Sequence, residues 1–181
     1  MAAFYDLIDE KLAAFIAAQP IYFVATAAAT GRINLSPKGM DSLRVLGPNR
    51  VIWLNVTGSG NETAAHLAQN NRITIMFCSF DKAPLILRLY GTAQTVHQRD
   101  DAWSELYAHF PDYLGARNIF DVTVESVQTS CGFAVPFMEF AGERPTAKRW
   151  AEQQGEDGIQ QYWTAKNQVS IDGLPTGLFP D

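Results

Sequence analysis

The segment ITIMFCSF, residues 73–80, constrains the fold more than any other stretch of this chain. Ile73, Ile75 and Phe77 fall on one face of an extended strand, and Met76, Cys78 and Phe80 on the other. A strand apolar on both faces belongs in the middle of a sheet, with protein on either side. Other segments rich in β-branched and aromatic residues surround it: IYFVATAA (21–28), INLS (33–36), LRVL (43–46), VIWLNV (51–56), LILRLYGTAQTV (85–96) and IFDVTVESVQT (119–129). The turn ATGR around Gly31 joins the first two as a hairpin.

Helical spacing is confined to the gaps between these strands. Phe4, Ile8, Leu12, Phe15 and Ile16 share one face of a helix predicted over residues 4–19 and ended by Pro20. Shorter helices are predicted over 61–69 and 99–110, the latter presenting Trp103, Leu106, Tyr107 and Phe110 and closed by Pro111. A further helical pattern, PTAKRWAEQQ, follows a Gly- and Pro-containing stretch after Cys131. Many strands with few helices point to a mainly β (α+β) small barrel with peripheral helices. At 181 residues and 47% hydrophobic the chain supports one core. We therefore divide it into a barrel with an N-terminal helix (1–130) and a C-terminal extension (131–181) that packs on the barrel or on a dimer partner.

The net charge of −5 and a pI near 5.1 provide no global attraction to nucleic acid or to an anionic membrane. Cys78 and Cys131 form no metal-type pattern, and Cys131 is expected to be a buried structural thiol. The N-terminal residues carry Asp6, Asp9 and Glu10 where a secretory leader has positive charge, so a cytoplasmic location is the expectation.

NVTGSGNETAAHL, residues 55–67, admits two readings. Ser59 and Glu62 have the spacing of a capping box, which needs no ligand. Gly58 and Gly60 equally leave backbone N–H groups open beside the hydroxyls of Thr57, Ser59 and Thr63, which makes an anion nest. Three cations lie in nearby strands: Lys38 in LSPKGM, Arg44 in SLRVLG and Arg88 in LILRLYG. Arg88 must snorkel, pair with a carboxylate or meet a ligand oxygen. Glu62 and His66 are expected to form a surface or cap-linked pair. No GxSxG or HExxH motif occurs, which disfavours hydrolysis.

Taken in order, INLSPKG, LRVL, VIWLNVTGSGNETAAHL, NRITIMFCSF and LRLYGTA resemble the pyridoxamine 5′-phosphate oxidase-like family of FMN-binding split barrels over roughly residues 20–130. The resemblance implies a six-stranded Greek-key split barrel and a homodimer with FMN in a groove between subunits. It also implies that Ser36, Pro37, Lys38, Gly39, Arg44, Val45 and Leu46 line the flavin ring. Asn55, Thr57, Gly58, Ser59, Gly60, Asn61 and Thr63 would hold the phosphate end, with Arg88 as a further cation. One departure is visible: many members carry an Arg-Lys pair at this helix start, where Glu62 and Thr63 stand here. The true oxidases also place Arg and His near the chain end, whereas residues 167–181 contain no Arg, Lys or His. The resemblance thus implies an FMN-dependent oxidoreductase acting on a small molecule other than pyridoxamine 5′-phosphate. The alternatives are a non-catalytic module binding FMN, a deazaflavin or haem, and a dimeric interaction protein whose groove has decayed.

Overall fold

A computed structural model describes residues 2–180 and arranges them as one antiparallel sheet with four helices. Strand β1 (Ala3–Tyr5) precedes helix α1 (Glu10–Ala17). The hairpins β2 (Tyr22–Thr26)–β3 (Asn34–Lys38) and β4 (Leu43–Gly47)–β5 (Arg50–Val56) follow, and α2 (Glu62–Gln69) leads to β6 (Arg72–Cys78) and β7 (Ile86–His97). Helix α3 (Trp103–Tyr107), β8 (Ala116–Ser130) and α4 (Thr146–Lys166) complete the chain.

The strand order is β3-β2-β6-β7-β8-β5-β4, with β1 also pairing β8. The two hairpins therefore sit at opposite ends of the sheet, and β3 and β4 do not pair with each other. That gap is the split of the barrel. Ile73, Ile75 and Phe77 of β6 face the core, where Val24, Trp53, Leu89 and Phe120 join them from four other strands. The rings of Trp53 and Phe120 lie 4.6 Å apart. Helices α1 and α2 close this core with Leu12, Ile16, Ala64 and Leu67.

The sheet has eight strands where six were expected. Seven match the strand-like segments of the sequence, and β1 is the addition. The helix predicted from residue 4 starts only at Glu10, because Asp9 takes the N-cap and accepts a hydrogen bond from the Leu12 N–H at 2.8 Å. Strand β5 pairs β8 only as far as Thr123, so the same edge of β8 is free further along. There β1 pairs with residues 127–129. Helix α4 extends well beyond the predicted segment and is interrupted at Gly155 (φ 66°, ψ 178°). Among the described residues no helix is long and apolar enough to cross a membrane.

The longest pairing, β7 with β8, slips by one residue between Tyr90 and Gly91. At this bulge a Cβ on Gly91 would overlap the Thr123 carbonyl oxygen of the neighbouring strand. Gly91→Ala should therefore lower the unfolding free energy by more than about 3 kcal/mol in urea titrations. Gly47→Ala, where an added Cβ meets nothing within 4 Å, should change it by less than about 1 kcal/mol.

Candidate functional site

Strand β5 ends in Asn55 and delivers the chain to the glycine-containing turn. The Asn55 amide donates to Asn118 Oδ1 at 2.9 Å. Thr57 donates both its N–H and its hydroxyl to the Gly115 carbonyl, each at 2.8 Å. Its oxygen also accepts from Trp163 Nε1 at 2.8 Å. The Gly58 carbonyl accepts from Asn167 Nδ2 at 3.1 Å. The turn is thus fastened by side chains of the C-terminal extension.

The capping box does not form. Asn61 is the N-cap of α2, Ser59 is exposed, and the Glu62 carboxylate accepts the Ile171 N–H at 3.0 and 3.1 Å. A local pairing loses here to a partner supplied by residue 171. His66 does not pair with Glu62: it is buried, its Nδ1 lies 3.1 Å from Thr26 Oγ1, and its Nε2 has no partner.

Arg117, at the start of β8, is only 2% exposed. Its guanidinium donates to the Gly60 carbonyl at 3.0 Å and to Asn167 Oδ1 at 2.6 Å, its Nε has no partner, and it makes no ion pair among the described residues. Burial lowers its pKa to about 10. Lys38, at the end of β3, places Nζ 4.8 Å from the centroid of the Trp53 ring, and it too makes no ion pair among the described residues. Withdrawal from water, reinforced by the positive charge of Arg117, pulls its pKa down to about 8.

Lys38, Thr57 and Gly58 border a groove of about 1080 Å³. Pro37, Lys38 and Gly39 form one wall and Thr57 and Gly58 another, with Phe23, Phe80, Trp150 and Tyr162 supplying apolar surface. Residues 138–147 run along its rim. Open space lies in front of Gly58, where an added Cβ would meet nothing within 4 Å.

The remaining predicted residues divide. Ser59 and Gly60 face a separate cavity of about 630 Å³ on the other side of the turn, with Glu62 and His66. Asn61 is buried with its Nδ2 unpartnered, and Thr63 Oγ1 accepts from Asn34 Nδ2 at 3.2 Å. Ser36 lies on β3 opposite Val24, and Val45 and Leu46 pack against the apolar clusters. The structure does not bring Arg44 and Arg88 to the groove. Arg44 binds both carboxylate oxygens of Asp41 at 2.8 and 2.9 Å, donates to the His109 carbonyl at 3.0 Å and lies over the Phe110 ring. Arg88 snorkels on the outer face of β7 toward Ser130 Oγ at 3.5 Å. Cys131 is exposed rather than buried, while burial pushes the Cys78 thiol up. The residue that sequence reasoning missed is Arg117. Its signal was an arginine inside the strand-like run ARNIF, the same signal that singled out Arg88.

Comparison with known proteins agrees with this architecture. Residues 8–131 match the family model described as pyridoxamine 5′-phosphate oxidase. A pyridoxamine 5′-phosphate oxidase family protein of Aspergillus flavus, ustO, is 35% identical over 193 residues, which cover 97% of this chain and 78% of the relative. The chain belongs to the pyridoxamine 5′-phosphate oxidase family. Among solved structures, HupZ of group A Streptococcus shares the fold with a TM-score of 0.53 at 23% identity, over 66% of this chain and 91% of that one. A candidate pyridoxamine 5′-phosphate oxidase of Lactobacillus delbrueckii does so with a TM-score of 0.55 at 20% identity, over 68% and 94%.

The lysine makes stability depend on pH. Its ammonium is penalised in the folded state, so between pH 8 and 10.5 the unfolded chain holds a proton that the folded chain has released. The unfolded state then binds more protons, and stability rises with pH across that window, by about 2–3 kcal/mol from this residue. Lys38→Met should flatten the rise and leave the protein more stable than wild type at pH 7, as read from urea midpoints at a series of pH values.

Proposed function

We propose that this protein is a flavoprotein that holds FMN in the groove beside Lys38 and Gly58, works as a homodimer, and is an oxidoreductase acting on a small molecule other than pyridoxamine 5′-phosphate. The observation that carries the reading is an apolar groove lined by Lys38 and the glycine turn, with Arg117 buried behind that turn and neither cation in an ion pair among the described residues. Buried positive charge of this kind is stabilised by an anion, and an aromatic body bearing a phosphate matches a groove with apolar walls and one cationic end.

The residues fit such a group. Lys38 would contact the phosphate directly, and Arg117 would act from behind the turn by fixing the Gly60 carbonyl and keeping that wall positive. Open space before Gly58 permits close approach of the ligand to the backbone. Phe23, Phe80 and Trp150 would exclude water from the ring. When bound, the flavin supplies the redox chemistry, and the chain orients it and sets its electrostatic surroundings. Residues 167–181 contain no Arg, Lys or His that could hold a second phosphate, which supports a less anionic substrate. The dimer is supported by Phe133, Phe137, Met138 and Phe140, each more than 60% exposed within eight residues of chain.

Spectroscopic titration of the purified protein with FMN and with riboflavin tests the reading. Lys38→Ala should weaken FMN binding by about 1.5–3 kcal/mol, the range for a charge-assisted hydrogen bond, and riboflavin binding by less. Equal losses would place the phosphate elsewhere, and absence of FMN binding by the wild type would overturn the proposal. A deazaflavin or Soret band in the purified protein would replace FMN with that ligand. Light scattering at micromolar concentration should give twice the mass of one chain. Turnover of pyridoxamine 5′-phosphate at about 1 s⁻¹ or faster would refute the exclusion of that substrate.

A further inference from the structure

The groove wall that would receive a phosphate also presents a nucleophile. Lys38 Nζ lines the groove, lies over the Trp53 ring and makes no ion pair among the described residues. An amine desolvated in an apolar pocket beside a second cation is the arrangement that activates lysine toward carbonyl compounds. Arg117, hydrogen-bonded to the Gly60 carbonyl behind the glycine turn, supplies that second cation, and Phe23, Phe80 and Trp150 supply the apolar surroundings.

We propose that Lys38 is a carbonyl-reactive amine that forms an imine with aldehydes or ketones carrying an anionic group on an aromatic or otherwise apolar body. The Nζ lone pair forms a bond to the carbonyl carbon. The carbonyl oxygen then leaves as water with the two protons of the neutral amine, giving a C=N bond with no net oxidation or reduction. Hydrolysis reverses the step. Anionic compounds are favoured because Arg117, buried against the turn that borders the groove, carries a charge with no carboxylate partner among the described residues, whereas a neutral aldehyde gains only apolar contact.

The lowered pKa of Lys38 agrees with the geometry, since an appreciable fraction of the side chain is neutral near pH 7.5. The other titratable and charged groups around the groove are Asp81 before β7, Glu139, Glu143 and Arg144 on the rim, and Tyr162 on α4. Of all the groups around it, Arg117 is the one whose charge acts on the amine. The inference stands independently of the flavin reading, because the reaction is measured without added flavin.

The test treats the full chain at pH 7.5 with 4-carboxybenzaldehyde and sodium cyanoborohydride, which reduces an imine to a stable amine, and maps the modified peptides by mass spectrometry. The four other lysines, Lys11, Lys82, Lys148 and Lys166, serve as internal references. Lys38 should be modified at least about tenfold faster than any of them, with a rate that rises through a midpoint near pH 8. Benzaldehyde, which lacks the carboxylate, should react with Lys38 several-fold more slowly. Lys38→Arg, which keeps the cation, should abolish the fast modification and leave the slow background. Equal modification of all five lysines, or none at Lys38, would overturn the proposal, and equal rates for the two aldehydes would overturn its preference for anions. Selective modification in a protein that binds no FMN would support this proposal while the flavin reading failed.

Discussion

Arg117 ties together three parts of the chain that are remote in sequence: its own strand β8, the Gly60 carbonyl of the turn before α2, and Asn167 at the end of α4. A guanidinium withdrawn from water without a carboxylate is costly. Hydrogen bonds to a carbonyl and an amide oxygen offset part of that cost but leave the charge in place. Burial holds the pKa of Lys38 down, and the charge of Arg117 adds to that effect. The shape of the turn and the electrostatic surroundings of Lys38 therefore share a contributor.

This arrangement changes the standing of the C-terminal extension. The family match ends at residue 131, yet the side chains that fasten the turn, Trp163 and Asn167, come from α4 and its end. Trp150 and Tyr162 of the same helix line the groove. An extension that reads in the sequence as an appendage to the barrel is thus part of the groove wall. Loss of its docking would remove the Trp163 bond to Thr57 and the Asn167 bond to Gly58 together with part of the cover of the groove.

Much of the fold was legible because it depends on local periodicity. The two-faced apolar pattern of residues 73–80 placed β6 inside the sheet, where it lies between β2 and β7, whereas the direction of Arg88 on β7 was left open. The N-terminal strand was not legible, because Phe4 happens to continue the helical spacing of Ile8 and Leu12. What overrides that spacing is an unpaired edge of β8 more than a hundred residues away. The site was legible only in part for the same reason. The turn announced itself through its glycines, but its cations could not be sorted by residue type. Arg44 has Asp41 three residues before it and is consumed by that pair. Arg117 sits where α4 and the turn cover β8, so that residues 116–120 are all buried, and no periodicity reports such double cover.

Glu62 shows how the local and the remote terms combine. A carboxylate in the first turn of a helix is favourable to the helix dipole yet repels an anion brought to the same place. Here the Ile171 N–H accommodates that carboxylate on the side of the turn that faces the smaller cavity, while Lys38 lines the larger groove and Arg117 is buried behind the turn. The turn consequently keeps Glu62 on the side away from Lys38. On the reading proposed above, the positive charge that many family members carry at the helix start is supplied in this chain from β3 and β8. An anion would then be held across the turn from Glu62, and the helix start, relieved of that task, is free to bind the chain's own C-terminal segment.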